Sequence, residues 1–145
     1  MGAHTFVSVR IHYVFGTASR EHAINSDLQS RLWAYIGGIV RNIGATLYAV
    51  GGMEDHAHVF IGLPPMMPVA KAVQSIKANS SRWMRESGGM AGFTWQEGYA
   101  AFSVSISHTD VTMAYIQNQA EHHQRRGYGE ELAAMLRKHH MRAVT

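Results

Sequence analysis

Cysteine is absent from this 145-residue chain. That excludes disulfides, iron–sulfur clusters, thiolate zinc sites and cysteine nucleophiles. Proline occurs only three times, and no Gly-X-Y period runs through the 14 glycines, which excludes collagen-like structure. Charge is sparse: Asp, Glu, Lys and Arg make 16% of the chain against 46% apolar residues, the balance of a folded domain rather than a disordered tail. No uncharged apolar run approaches the roughly 20 residues that a membrane helix requires. The chain does not open on a basic-then-apolar signal pattern, so the cytoplasm is the expected location. Linkers, low-complexity segments and internal repeats are missing as well. The expectation is one domain over 1–145, with a core over about 6–124 and a basic helical tail over 125–145.

Ten histidines stand out against this background. They suit metal ligation or proton transfer, besides filling ordinary solvated or core positions. Nine methionines point to core filling. A net charge of +3 permits a polyanionic partner and says no more.

Hydrophobic periodicity orders the elements. Phe6 to Thr17 alternates, with Val7, Val9, Ile11, Tyr13 and Phe15 on one face and Ser8, Arg10 and His12 on the other, which predicts a half-buried strand. Ser26 with Gln29 reads as a capping box. Leu28, Leu32, Ile36, Ile39 and Ile43 then recur at helical spacing until Gly44. Thr46 to Val50 reads as a second strand turned by Gly51-Gly52, and His56 to Leu63 as a third, ended by Pro64-Pro65. Pro68 suits the start of a helix carrying Val69, Val73, Ile76, Ser80 and Trp83 on one face and Lys71, Arg82 and Arg85 opposite. The Gly-rich stretch Ser87 to Gly98 reads as a loop. Tyr99 to Ser107 alternates again. A helix capped by Thr109 or Asp110 runs to about Gln124, and a short one from Glu130 to His140 closes the chain. The order predicts an α+β, ferredoxin-like βαββαβ fold: an antiparallel sheet with helices on one face, plus a C-terminal helix that carries Tyr115.

Two constellations carry chemistry. Side chains two apart on a strand share a face. His56-Ala57-His58 therefore aims two imidazoles together, either as half of a metal site or as two polar residues on a solvent face. Asp55 adjoins them, with its side chain expected to point the other way. On the later helix, Tyr115 and Gln119 are four apart, about 40° round the axis from each other. His122 lies near the same stripe, while Met113, Ile116 and Ala120 face the sheet. A tyrosine in such a helix can equally be a half-buried rim residue. Tyr128 is a second candidate, but Gly127 and Gly129 predict a mobile turn, a poor mount for a nucleophile.

The ordered set resembles the single-tyrosine HUH transposases of small bacterial insertion sequences, the insertion sequence 200/605 type. It comprises His56-Ala57-His58 on a central strand, then Tyr115 with Gln119 after the last strand. Lys77-Ala78-Asn79-Ser80-Ser81, the Trp95 to Ser105 stretch and Asn118-Gln119 followed by His122-His123 add local matches. The resemblance covers about Val7 to Leu136. It implies a DNA transposase in which His56, His58 and Gln119 hold Mg²⁺ or Mn²⁺ and Tyr115 attacks a single-stranded DNA phosphate. A 5′-phosphotyrosine would conserve the bond energy, so that rejoining needs no ATP, in keeping with the missing P-loop motif. It also implies a hairpin-bearing DNA partner and a homodimer whose two sheets join edge to edge, with the option that the tyrosine helix serves the other chain's metal site.

Arg10, His12, Lys71, Arg82, Arg85, His122, His123, Arg125 and Arg126 are the candidate DNA-binding residues, as distributed groups that hold a backbone without reading sequence. The basic helix face over Lys71 to Arg85 reads equally as solvated surface. The alternative function is a catalytically silent hairpin-binding domain of the same fold, and a small-molecule metal hydrolase ranks below it. An RNA-recognition motif is rejected, because Gly98-Tyr99-Ala100-Ala101-Phe102 is out of register and falls on the wrong strand.

Overall fold

The computed structural model describes residues 4–123 and 126–141. Strand β1 (Arg10–Gly16) leads into helix α1 (Ser26–Asn42), strands β2 (Thr46–Met53) and β3 (His56–Gly62), helix α2 (Val69–Glu86) and strand β4 (Ala100–Ser103). The four strands lie in the order β2-β3-β1-β4, all pairings antiparallel. This is the expected βαββαβ arrangement. Helices α3 (Thr109–Gln117), α4 (Gln119–His122) and α5 (Tyr128–Lys138) follow.

Strand alternation sorts the sheet into two faces. Ile11, Tyr13 and Phe15 of β1 and Ala57, Val59 and Ile61 of β3 pack against Leu28, Leu32 and Ile36 of α1 and Val73, Ile76 and Met84 of α2. The opposite face carries His12, Val14, His56, His58 and Phe60. It is covered as well: Ile116 of α3 packs on Ala49 and Phe60, and Tyr128 of α5 on Val14 and Phe102. β1 is therefore buried on both faces rather than half-buried, and His12 is enclosed, not solvated.

Local chemistry sets the boundaries. Helix α1 is capped one residue earlier than expected: Asn25 Oδ1 accepts from Leu28 N at 3.1 Å, and Gln29 Nε2 donates to the Ile24 carbonyl. Gly44, with φ at +80°, ends it as predicted. β4 is shorter than its alternating pattern. Val104 N still donates to Arg10 O, but β1 begins there, and the chain turns into a short 3₁₀ segment at Ile106–His108. The Gly-rich loop is anchored to α2: Trp95 Nε1 donates to Ser80 Oγ at 2.9 Å, and Lys77 Nζ donates to the carbonyls of Gln96 and Gly98. The Lys77 to Ser81 motif thus clamps the loop to α2.

The glycines read as a turn, Gly51-Gly52, lie inside β2 instead, and Glu54-Asp55 makes the turn. The reason is on the sheet's second face. A Cβ at Gly51 would stand 2.5 Å from the carbonyl oxygen of Ile116, so only glycine lets the backbone of α3 settle against the strand. Gly51→Ala should destabilise the fold by about 1–3 kcal/mol through overpacking. A thermal melt should register this as a drop of roughly 3–10 °C; an unchanged midpoint would show that the contact is slack.

Candidate active site

His56 and His58 hang side by side from the central strand β3, both without solvent exposure. Three further elements close on them. Gln119, at the start of α4, places Oε1 2.9 Å from His56 Nε2. Glu131, in the first turn of α5, places Oε1 3.2 Å from His56 Nε2 and 3.1 Å from His58 Nε2. His123 Nε2 reaches the same carboxylate oxygen at 3.2 Å and Gln119 Oε1 at 3.1 Å. The Tyr115 hydroxyl donates to Glu131 Oε2, and Gln119 Nε2 donates to that oxygen at 3.0 Å.

Behind the imidazoles, their partners fix which nitrogen stays free. Asp55 Oδ1 accepts from His56 Nδ1 at 2.7 Å, leaving Nε2 to face the cluster. Asp55 does so, against the expectation from alternation, because it sits in the turn before β3 and not on the strand. His58 Nδ1 pairs with His12 Nε2 at 2.8 Å. A neutral His58 that presents a lone pair on Nε2 carries its proton on Nδ1 and donates it to His12. Ligand atoms of His56, His58 and Glu131 all lie within 4.8 Å of one another. Two oriented imidazoles, a carboxylate and an amide oxygen form a mixed N/O donor set that fits a divalent first-row cation or Mg²⁺.

Electrostatics follow the same geometry. Burial works against a charged His56, but the Asp55 and Glu131 carboxylates overcome it and push its pKa up to about 9. His58 goes the other way: full burial, with His56 and His123 close by, holds it below the ordinary imidazole value despite Glu131. His12 is lowered further by burial and by His58. Glu131 stays ionised far below the carboxylate range, because its bonds to His56, His58 and Tyr115 outweigh its burial. Burial and the facing Glu131 carboxylate raise the Tyr115 phenol, and Gln119 and Arg126 only partly oppose them.

A cation entering this cluster must displace the proton on His56. Below about pH 9 the imidazole holds that proton, so metal affinity should climb with pH, by about tenfold per unit for one displaced proton, and level off above. Calorimetric titration with Mn²⁺ at three pH values between 6.5 and 8.5 tests this; a flat affinity contradicts it.

The other expected site residues scatter. His122 packs its ring on Tyr115 at 4.5 Å between centroids. His123 is part of the cluster, and Arg126 is close enough to act on the Tyr115 phenol. His12, expected at a DNA-facing surface, is 4% exposed and serves His58 instead, because α5 covers the face on which it lies. Arg10 lies over the Tyr48 ring at 5.2 Å. Lys71, Arg82 and Arg85 belong to α2, which packs on the sheet face away from the imidazoles, and Arg85 spends its guanidinium on Ser81 Oγ and the Phe93 carbonyl. Arg125 lies outside the described residues. Tyr128 does not lie on a mobile turn but opens α5. It is buried, its ring stacked on His56 at 4.3 Å and 10°, and burial pushes its phenol up to about 12.

The site thus sits on an antiparallel βαββαβ sheet, with an imidazole pair on a central strand and a tyrosine-bearing helix closing over it. Residues 5–119 match the family described as "Transposase IS200 like", and the chain belongs to that family. Two solved structures share the fold. A transposase candidate from Deinococcus radiodurans R1 is 22% identical with a TM-score of 0.66, over 82% of this chain and 96% of that one. A REP-associated tyrosine transposase bound to a REP hairpin is 14% identical with a TM-score of 0.61, over 85% of this chain and 74% of that one. No curated protein matches the chain. Glu131 lies beyond the residues matched to the family. Among the described residues, no helix is long and apolar enough to cross a membrane.

Proposed function

We propose that the chain cuts and rejoins single-stranded DNA through a covalent bond to Tyr115, beside a divalent metal held by His56, His58, Gln119 and Glu131. One observation carries this reading: the Tyr115 hydroxyl and both imidazoles converge on a single carboxylate, within one chain. When bound, the cation supplies Lewis-acid polarisation of the scissile phosphate and offsets the charge that keeps the phenol protonated. Mn²⁺ or Mg²⁺ suits the oxygen-rich half of the donor set.

The residues divide the work. Asp55 and His12 orient the two imidazoles. Glu131 Oε2 holds the Tyr115 hydroxyl in place as an acceptor, without taking its proton in the metal-free protein, since the carboxyl is far the stronger acid. In the reaction the phenolic oxygen bonds to phosphorus and the P–O3′ bond breaks. The phenolic proton ends on the released 3′ oxygen, and the 5′ phosphate stays on Tyr115. Attack by a 3′-OH on that ester reverses the exchange, which suits the mobilisation of a small insertion sequence.

Each chain offers one Tyr115, and joining two cut ends needs two, so a homodimer is the form we expect. Light scattering should give twice the 16.1 kDa chain mass, and a mass of one chain would contradict the expectation. The test of the reading is an SDS-resistant adduct with hairpin-bearing single-stranded DNA, formed in Mg²⁺ or Mn²⁺, lost with chelator, and mapped to Tyr115. The substrate is taken from the repeats that flank the gene. Tight binding without an adduct, across several hairpins and both metals, establishes the silent binding domain instead.

A further inference from the structure

The buried cluster offers no direct path to a polymer: His56, His58, Gln119 and Glu131 are each at most 2% exposed. Tyr115 is only half-buried, and its ring forms one wall of a cleft of about 510 Å³ between β4, the start of α3 and the outer side of α5. That volume falls in the range of roughly 300–1,000 Å³ usual for small-molecule sites.

The lining has a definite chemistry. Val104, Val111 and Met135 supply apolar surface over the buried Phe102, and Val111 is 66% exposed, an open wall rather than part of the core. The Phe102 ring is backed by His139, stacked at 4.5 Å and 29°. Arg126 and Lys138 bring two fixed positive charges, and Ser103, Ser105 and Thr112 bring hydroxyls. Among the described residues that line the cleft there is no carboxylate. Apolar and aromatic walls, cations and hydroxyls without an acid match one kind of ligand well: an unpaired nucleotide, its base against the walls and its phosphate toward Arg126 and Lys138. A purely apolar ligand would leave the two cations without purpose, and a duplex is too wide to enter.

We infer that this cleft binds the unpaired nucleotide next to the scissile phosphate and so delivers the single strand to Tyr115. The inference rests on the reading of Tyr115 as nucleophile and adds where the strand lies. It assigns Val111, Met135, Arg126, Lys138 and the His139 ring a binding role, and it leaves the exposed cations of α2 outside the path.

The probe is a fluorescein-labelled, mixed-sequence single-stranded DNA octamer carrying 5-iodouracil, with binding read by anisotropy. Val111 and Lys138 are both exposed, so their variants keep the fold. Val111→Trp, which fills the cleft, should weaken binding at least tenfold and Lys138→Ala about threefold to tenfold. Mn²⁺ affinity should be unchanged in both. Gln74→Ala, on the opposite helix layer, serves as the control and should stay within twofold. Photocrosslinks should map to Val111, Met135 or His139. If Val111→Trp and Lys138→Ala both bind within twofold of the parent, the cleft is not the strand's seat, even where the Tyr115 adduct forms normally. If no adduct forms but the same variants lose binding, the cleft stands as a binding site and the nucleophile assignment falls.

Discussion

Tyr115→Phe is expected to abolish covalent capture of DNA, by at least about three orders of magnitude, while sparing the fold and the metal. The argument is local. The substitution deletes one hydroxyl whose partner, Glu131 Oε2, keeps the Gln119 amide as a second donor. The carboxylate is therefore not orphaned, and the cost to stability should be about 1 kcal/mol. The ring keeps its contacts with His58 and His122. Melting temperature and Mn²⁺ affinity should stay near the parent values as the SDS-resistant band disappears. Tyr128→Phe is the matched comparison and should retain the band, since that ring is stacked on His56 and its hydroxyl, unlike that of Tyr115, makes no hydrogen bond to Glu131 among the described residues. An adduct that survives in Tyr115→Phe and vanishes in Tyr128→Phe would reverse the assignment.

The second large effect belongs to Glu131. Its Oε1 meets three imidazole nitrogens at 3.1–3.2 Å, and its Oε2 meets Tyr115 and Gln119. Removing a buried charge from such a set typically costs about 3–5 kcal/mol, because the groups left behind are unpaired and cannot reach water. Glu131→Ala should therefore melt far below the parent. Glu131→Gln keeps the volume and one carbonyl oxygen but not the charge. It should bind Mn²⁺ at least about 10–100-fold more weakly, with a smaller loss of stability. The two measurements separate two roles. A glutamine variant that melts lower yet binds metal like the parent makes Glu131 a charge partner of the imidazoles and not a ligand.

Much of the site was legible in the chain, and what was not has a physical reason. His56-Ala57-His58 sits on an alternating strand, so the shared face of the two imidazoles followed from the pleat alone. The Tyr115 and Gln119 spacing puts both on one stripe but turns Met113, Ile116 and Ala120 toward the sheet; the helix breaks at Asn118, and Gln119 is buried against the imidazoles while Ala120 is exposed. Glu131 left no signal. Two acidic residues in the first turn of a helix favour the helix dipole wherever they occur, and nothing in Glu130-Glu131 tells which one turns inward. His12 was misplaced for a related reason. Alternation assigns faces, but it does not say that a second layer of helices will cover the polar one. Asp55 was misjudged because the turn, which releases it from strand geometry, was placed at Gly51-Gly52. Those glycines serve the approach of α3 instead, a long-range contact that a short window of sequence does not contain.

The cluster draws its members from parts of unequal firmness. The imidazoles hang on β3, which is hydrogen-bonded on both sides, whereas α3, α4 and α5, among the described residues, meet the sheet without backbone hydrogen bonds, through side chains and the packing of the α3 backbone on Gly51. Fluctuations that open a protein cheaply take the helical members first and leave the paired strands whole. If the chain acts on DNA as proposed, the strand would reach the imidazoles as a covering helix undocks, with the platform on β3 standing ready as the helix returns.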